Sequence, residues 1–131
     1  MGNGDKHTSL LLLLVEDDEG VISPLEETLR DGGFDLELAK DGAAALGILE
    51  ARSETLRGLI TDVNLGAGPN GWDVARRARE LSEDMPVVYM TGADGHEWAA
   101  HGVPNSTLVH KPFAPAQIVT AISALLNVTD R

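Results

Sequence analysis

Charged and polar side chains follow four short apolar runs of this sequence, at the point where each run stops. The four groups are Glu16-Asp17-Asp18, Asp62, Thr91-Gly92 and Lys111-Pro112. If the apolar runs are parallel β-strands, their carboxyl ends meet at one edge of a sheet, which is where open α/β sheets bind ligands. The sequence therefore predicts a site that combines several carboxylates with a hydroxyl and an ammonium group.

Carboxylates gathered in this way need a proton or a cation to offset their charge. Two of them about 4 Å apart repel by roughly 4 kcal/mol at an effective dielectric constant of about 20. Ligands that are all oxygen, without His or Cys, favour Mg²⁺, which takes one or two carboxylates and keeps waters for a phosphate. Lys111 supplies a point charge suited to a phosphoryl oxygen, and Thr91 supplies a hydroxyl donor. The set predicts a site for a phosphoryl group in transfer, in which a carboxylate can become an aspartyl phosphate.

The elements that must position these residues alternate between strands and helices. Apolar runs and period-two alternation predict strands over 10–15, 34–39, 58–61, 86–90 and 107–110. Apolar residues three and four apart predict helices over 21–31, 43–51, 72–81 and 114–126, with a short helix over 96–100. Strands that alternate with helices of about ten residues indicate a parallel sheet covered on both faces.

Composition limits the class of protein. The 131 residues are 43% hydrophobic and 24% charged, which suffices for one domain with a core. The formal net charge of −11 argues against a nucleic-acid or anionic-membrane surface, and the absence of cysteine excludes disulfides and thiolate chemistry. No apolar run approaches the roughly 20 residues of a membrane-spanning helix, and the start lacks the basic region of a secretory signal. We therefore expect a cytoplasmic protein with one domain over residues 10–127, a flexible N-terminus over 1–9 and a frayed C-terminus over 128–131.

With these residues in view, the chain resembles the receiver domain of two-component response regulators. The matching pieces are Leu13-Leu14-Val15-Glu16-Asp17-Asp18, Ile60-Thr61-Asp62, Asn70-Gly71-Trp72, Met90-Thr91-Gly92 and Lys111-Pro112-Phe113. They occur in the family's order and spacing, and the resemblance covers residues 10–127. It implies a flavodoxin-like α/β fold, a five-stranded parallel sheet in the strand order 2-1-3-4-5 with helices on both faces.

The resemblance also implies roles for the acidic residues. Asp62 would be the phosphoacceptor and a ligand of Mg²⁺. Asp17 would bind the metal directly, Glu16 would support it through water, and Asn64 would offer its backbone carbonyl. The first-helix apolar positions favour Glu16 and Asp17 as the acidic pair, while Asp18 remains an alternative ligand.

For the phosphoryl group itself, the resemblance implies contacts with Thr91 and Lys111, and a cis Lys111–Pro112 bond. Three features depart from the family pattern. Gly66 stands where proline is usual, and Gly71 comes one residue later than usual. Leu108 stands where an aromatic residue usually couples to Thr91, and the stretch from 91 to 108 is about two residues shorter than in the chemotaxis regulator that the chain resembles. These departures concern the signalling relay rather than phosphate acceptance.

The predicted function is that of a single-domain response regulator. It would accept the phosphoryl group from a phosphohistidine of a sensor or hybrid histidine kinase or of a histidine phosphotransfer protein. Its output would be contact with a downstream protein through the fourth helix, fifth strand and fifth helix, as a monomer or a phosphorylation-dependent dimer. We expect slow autodephosphorylation and no enzyme activity in the ordinary sense.

Two other functions fit parts of this pattern. A phosphohydrolase of similar layout carries a second acid two residues after its nucleophile, and here that position is Asn64. The other alternative is a phosphorylation-independent binding module with the receiver fold, which Leu108 and Gly66 would suit.

Overall fold

A computed structural model of the protein describes residues 9–93 and 95–129, in which strands and helices alternate. The strands are β1 (Leu10–Val15), β2 (Phe34–Ala39), β3 (Leu56–Asp62), β4 (Val87–Thr91) and β5 (Thr107–His110). The helices are α1 (Glu19–Asp31), α2 (Gly42–Arg52), α3 (Gly71–Leu81), α4 (Trp98–His101) and α5 (Pro115–Thr129), and a 3₁₀ turn over Gly95–Glu97 precedes α4. The strands form one parallel sheet in the order β2-β1-β3-β4-β5, which confirms the predicted fold.

Each central strand divides its side chains between two apolar layers, because successive residues of a strand point to opposite faces. In β1, Leu13 and Val15 pack with residues of α2 and α3, while Leu12 and Leu14 pack with residues of α1 and α5. All four side chains are fully buried. Since β1 and β3 are neighbours at the centre of the sheet, the residues at their carboxyl ends are brought side by side.

Some element boundaries differ from the predicted ones. β3 begins at Leu56 rather than at residue 58, because Leu56 is buried and pairs with Leu11 of β1. α5 continues through Thr129, so residues 128 and 129 of the predicted frayed C-terminus are helical. The predicted flexible segment 1–9 falls, apart from its last residue, outside the described residues, as do 130 and 131. Neither α5 nor another helix of the described residues is long and apolar enough to cross a membrane.

The short α4 ends where the sequence turns to glycine. The Gly102 N–H donates to the Trp98 carbonyl at 2.8 Å, and a Cβ at position 102 would lie 2.3 Å from Cδ1 of the Trp98 ring. Glycine therefore lets the chain turn back across the indole. The helix lies slightly later than the predicted 96–100, because Gly95–Glu97 forms a 3₁₀ turn instead.

The stretch from Trp98 to Thr129 carries almost no formal charge, although the whole chain is strongly acidic. Lys111 is its only Asp, Glu, Lys or Arg residue. The stretch contains α4, the edge strand β5 and α5, and it exposes Trp98 and Val128 to solvent. We call residues 98–110 and 112–129 the uncharged edge.

Tyr89, the only tyrosine of the sequence, is fully buried in β4. Its hydroxyl accepts the Val103 N–H at 3.1 Å, and its ring centroid lies 4.6 Å from that of Trp72. Burial raises the pKa of Tyr89, and the hydrogen bond from Val103 only partly opposes this effect.

Tyr89 is therefore expected to ionise above the ordinary tyrosine pKa of about 10 in the folded protein. The unfolded chain loses this proton first, so the free energy of unfolding should fall as pH rises from about 10 through the higher folded pKa. An ultraviolet absorbance titration of the phenolate measures the folded pKa directly, and the same titration after denaturation gives the reference. Ionisation at the same pH in both states would contradict the buried hydroxyl.

Candidate functional site

Asp62 ends β3 at the middle of the sheet. It pairs with Met90 of β4, and the next residue, Val63, donates its N–H to the Met90 carbonyl at 3.0 Å. The Asp62 Oδ1 accepts the Asn64 N–H at 3.2 Å. The Asp62 side chain keeps 11% of its surface exposed, so its carboxylate is fixed in place and can still be reached from solvent.

The start of α3 lies directly against the backbone of Asp62. The Gly71 N–H donates to the Val63 carbonyl at 2.8 Å, and a Cβ at position 71 would lie 2.2 Å from the Asp62 carbonyl oxygen. That oxygen belongs to the backbone and cannot turn away as a flexible side chain would. Asn70 caps α3 by accepting the Asp73 N–H at 2.9 Å, while the Asp73 carboxylate accepts the Asn70 N–H at 3.1 Å. The Asn70-Gly71 pair therefore starts the helix and lets it approach the Asp62 backbone.

Gly71→Ala is expected to lower the free energy of unfolding by about 1–3 kcal/mol, because the added methyl group overpacks the backbone of Asp62. Chemical denaturation measures this loss. Gly47→Ala is the matched control, since Gly47 lies in the exposed middle of α2 with nothing within 4 Å of its added Cβ. That variant should be as stable as the parent or more so, because alanine is the better helix former. A Gly71→Ala protein of undiminished stability would contradict the close approach.

Lys111 joins the two carboxylates that end the central strands. Its Nζ donates to Glu16 Oε1 at 2.8 Å and to Asp62 Oδ2 at 3.1 Å. The Glu16 side chain is 1% exposed, and its second oxygen accepts the backbone N–H groups of Asp17 and Asp18, both at 3.2 Å. The fold thus brings together residues 16, 62 and 111, which the strand-end pattern placed at one edge.

The carboxylates and the ammonium group of this cluster shift each other's pKa. Burial raises the pKa of Glu16, and the Asp62 carboxylate adds to the rise, although Lys111 opposes both effects. Burial lowers the pKa of Lys111, but its hydrogen bonds to Glu16 and Asp62 and their charges outweigh burial, so its pKa is raised overall. The Lys111 ammonium is therefore charged at neutral pH and offsets part of the carboxylate charge.

Asp17 and Asp18 are adjacent but serve different parts of the structure. One oxygen each from Glu16, Asp17 and Asp62 lie within 4.8 Å of one another, an arrangement that could hold a metal ion. Asp18 instead caps α1, where its Oδ1 accepts the Gly20 N–H at 2.9 Å. This helix cap also explains why α1 begins at Glu19, before the predicted residue 21. The geometry favours Glu16 and Asp17 over a pair that includes Asp18.

Thr91 lies at the same edge as the cluster. It ends β4, is 1% exposed, and its carbonyl accepts the Lys111 N–H at 2.8 Å. The Lys111–Pro112 bond is cis, as the resemblance implies. Asn64 adjoins the cluster as well, because its backbone N–H donates to Asp62 Oδ1. Its side-chain oxygen accepts the Gly66 N–H at 3.3 Å. The hydroxyl role of Thr91 and the carbonyl role of Asn64 stay predictions.

Sequence reasoning missed the contribution of Tyr89 to this region. A lone tyrosine in an apolar run is a usable signal, because a buried hydroxyl requires a hydrogen-bond partner. It also missed the close approach of Gly71 to Asp62, which depends on two segments that meet only in the folded chain.

The sheet order and the acidic cluster with its lysine at the carboxyl edge define a receiver-type α/β domain. A family model described as the response regulator receiver domain matches residues 12–123. The chain therefore belongs to the response regulator receiver domain family of two-component signalling.

Three similar proteins illustrate the range of relatives. A response regulator receiver protein from Sinorhizobium medicae is 40% identical, with a TM-score of 0.87 over 91% of this chain and 95% of that one. The receiver domain of the hybrid histidine kinase CckA is 28% identical, with a TM-score of 0.73 over 88% of this chain and 98% of that one. Response regulator MprA of Mycobacterium tuberculosis is 30% identical over 92% of this chain and 52% of its own length. The chain spans about half the length of the curated relatives it matches.

Proposed function

We propose that Asp62 accepts a phosphoryl group from a phosphohistidine of a partner protein, in a step that requires Mg²⁺. The observation that supports this most is the Lys111 ammonium, held 2.8 Å from Glu16 and 3.1 Å from Asp62 at the carboxyl edge of the sheet. It places a positive charge beside a carboxylate that solvent can still reach. A phosphoryl group added to Asp62 would bring its oxygens next to that charge.

The phosphoryl transfer needs no reactant besides the phosphohistidine and the Asp62 carboxylate. A carboxylate oxygen of Asp62 attacks phosphorus, and the new P–O bond forms as the P–N bond to imidazole breaks. The electron pair of the P–N bond stays on the imidazole nitrogen, and a proton on the other ring nitrogen lets the histidine leave as neutral imidazole. Lys111 and the Thr91 hydroxyl are the donors that would meet the negative charge on the phosphoryl oxygens. Attack of water on phosphorus later returns Asp62 and inorganic phosphate, a slow autodephosphorylation that does not make the protein an enzyme in the ordinary sense.

The donor set fits Mg²⁺, since it consists of carboxylate oxygens that converge within 4.8 Å and includes neither His nor Cys. Asp17 and Asp62 would bind the ion directly, Glu16 would act through water, and Asn64 would contribute its backbone carbonyl. The ion supplies positive charge that offsets the carboxylates and the phosphoryl oxygens.

The donor would be a sensor or hybrid histidine kinase, or a histidine phosphotransfer protein, acting in the cytoplasm. A cleft beside Lys111 supports a protein donor, because Val21, Pro24, Pro112 and Phe113 line it with apolar surface. The relationship to the receiver domain of a hybrid histidine kinase supports the same class of partner.

The output would be contact of the receiver itself with a downstream protein, through the uncharged edge. Trp98 is 37% exposed there, on a surface whose residues carry no formal charge, so the edge offers an apolar face on which a protein partner could pack. A phosphorylation-dependent dimer would use the same surface, whereas the acidic charge elsewhere disfavours nucleic acid as the target.

Tryptophan fluorescence during titration with beryllofluoride, a mimic of the aspartyl phosphate, tests the phosphoacceptor pocket. Trp72 is buried one residue beyond Gly71, whose backbone contacts that of Asp62, so its emission should respond to occupancy. We expect a saturable change that requires Mg²⁺ and disappears in Asp62→Ala. Asp35→Ala is the matched control, because Asp35 is an exposed aspartate of the edge strand β2.

A parent protein that gives no such change, and no mass gain from small phosphodonors, would refute the proposal. The absence of an aromatic ring at Leu108 would then favour the alternative, a phosphorylation-independent binding module. Undiminished binding of a partner by Asp62→Ala would support that alternative.

A further inference from the structure

The hydroxyl of Tyr89 ties the interior of the sheet to the segment that follows α4. It accepts the N–H of Val103, which is 7% exposed and is the residue directly after the glycine that ends α4. This hydrogen bond is long-range, because it joins β4 to a connection fourteen residues further along the chain. The proposed phosphoryl transfer to Asp62 does not use this hydroxyl.

From Val103, hydrogen bonds continue to the surface. The Ser106 hydroxyl donates to the Val103 carbonyl at 2.6 Å, and the Trp98 indole N–H donates to the Ser106 oxygen at 2.9 Å. The chain Tyr89–Val103–Ser106–Trp98 therefore runs from a fully buried side chain to one that is 37% exposed on the uncharged edge.

At its inner end, this chain begins in β4, the strand that pairs with the β3 strand ending at Asp62. Tyr89 and Thr91 are alternate residues of β4, so their side chains point to the same face of the sheet. The ring of Tyr89 also packs against Trp72 in the first turn of α3, next to Gly71, which abuts the Asp62 backbone. Tyr89 thus contacts the helix start behind Asp62 and lies two residues from Thr91.

Leu108, the position where the resemblance leads one to expect a coupling aromatic, pairs with Tyr89 across the β4–β5 ladder. Leu108 is only partly buried against the same apolar layer and has no hydrogen-bonding group. An aromatic ring with a hydroxyl is therefore present on this face of the sheet, but β4 supplies it instead of β5.

We propose that Tyr89 is the positioning residue that couples the occupied Asp62 site to Trp98, through the hydrogen bonds of Val103 and Ser106. This coupling rests on the proposed phosphoacceptor function and specifies how its signal reaches the uncharged edge. A shift of the end of β4 toward the phosphoryl group moves Tyr89, and its hydroxyl moves the Val103 backbone. The hydrogen bonds from Val103 through Ser106 to Trp98 then change the position of α4.

Fluorine NMR of protein that contains fluorotryptophan tests the coupling and ligand binding in one sample. The Trp72 and Trp98 signals are assigned with Trp72→Phe and Trp98→Phe, and bound beryllofluoride gives fluorine signals of its own. In the parent protein, Mg²⁺ and beryllofluoride should shift the Trp98 signal. In Tyr89→Phe and in Ser106→Ala, bound beryllofluoride should persist at the same stoichiometry, while the ligand-induced Trp98 shift falls by at least about half.

Ser123→Ala is the matched control, since it removes a hydroxyl of α5 outside the chain of bonds and should keep the full Trp98 shift. A merely structural role of Tyr89 would lower the melting temperature and leave the ligand-induced shift intact. A full Trp98 shift in both Tyr89→Phe and Ser106→Ala, or none in a parent protein with bound ligand, overturns the coupling. If Tyr89→Phe does not fold, Ser106→Ala decides. A parent protein without bound beryllofluoride instead refutes the phosphoacceptor function itself, and the coupling with it.

Discussion

Asp62→Asn is expected to leave the protein folded and to abolish its uptake of a phosphoryl group from acetyl phosphate in the presence of Mg²⁺. The asparagine amide keeps the shape of the side chain but removes the nucleophilic carboxylate oxygen. It also removes the charge that raises the pKa of Glu16, so relief of this repulsion offsets part of the lost ion pair with Lys111. Intact-mass measurement should show one added phosphoryl group on the parent protein and none on the variant.

Asp18→Asn provides the control for this prediction. Asn is as good a helix cap as Asp, so the variant should preserve the cap of α1. Because Asp18 lies outside the carboxylates that converge on a metal position, uptake should also survive. Equal uptake by Asp62→Asn and the parent would place the phosphoryl group on another residue. Loss of uptake in Asp18→Asn would restore Asp18 as a metal ligand.

Lys111→Met is expected to slow phosphoryl uptake by about 10²–10³-fold, the usual effect of removing one donor that stabilises developing negative charge. It should also lower the free energy of unfolding at neutral pH by roughly 1–3 kcal/mol, because Glu16 and Asp62 then face each other without the ammonium. Timed intact-mass measurements give the rate, and chemical denaturation gives the stability.

The pH dependence of this variant has a definite sign. A carboxylate whose pKa is raised by folding destabilises the protein as pH rises from its unfolded pKa through its folded one. The pKa of Glu16 is already raised, and loss of Lys111 should raise it further. The stability deficit of Lys111→Met should therefore shrink on acidification from about pH 7 to about pH 5. Lys40→Met is the control: Lys40 forms an exposed pair with Glu19, and its loss should leave the unfolding midpoint nearly unchanged at both pH values. A deficit that grows on acidification would contradict the charge argument.

The sheet and the candidate site could be predicted from sequence because one rule connects them. Polar residues that end apolar runs must gather at one edge if the strands are parallel, and Glu16, Asp62 and Lys111 do so. The choice of the acidic pair among the three adjacent acids requires a second signal. Asp18 precedes the first residue of α1, and the preference of aspartate for helix caps was an available signal that separates it from Glu16 and Asp17.

Other features depend on contacts between distant segments, which spacing along the chain does not encode. Gly71 is required because a helix start meets the Asp62 carbonyl, and the sequence shows only a turn-like Asn-Gly pair. Tyr89 finds its partner in Val103, whose position depends on how the short α4 ends at Gly102. The early start of β3 likewise follows from the pairing of Leu56 with β1, which alternation within residues 56–62 does not reveal.

The uncharged edge gives this acidic protein two surfaces that should differ in their response to ionic strength. A net charge of −11 attracts a basic partner over long distances, and salt screens that attraction beyond about 10 Å at 0.1 M. A donor protein that approaches the exposed Asp17 and Asp18 would therefore associate more slowly as salt is added. A target that packs on Trp98 and α5 meets no fixed charge from those residues, so its affinity should change little. In a binding experiment, added salt would therefore slow association of the phosphoryl donor while leaving the affinity for the downstream target nearly unchanged.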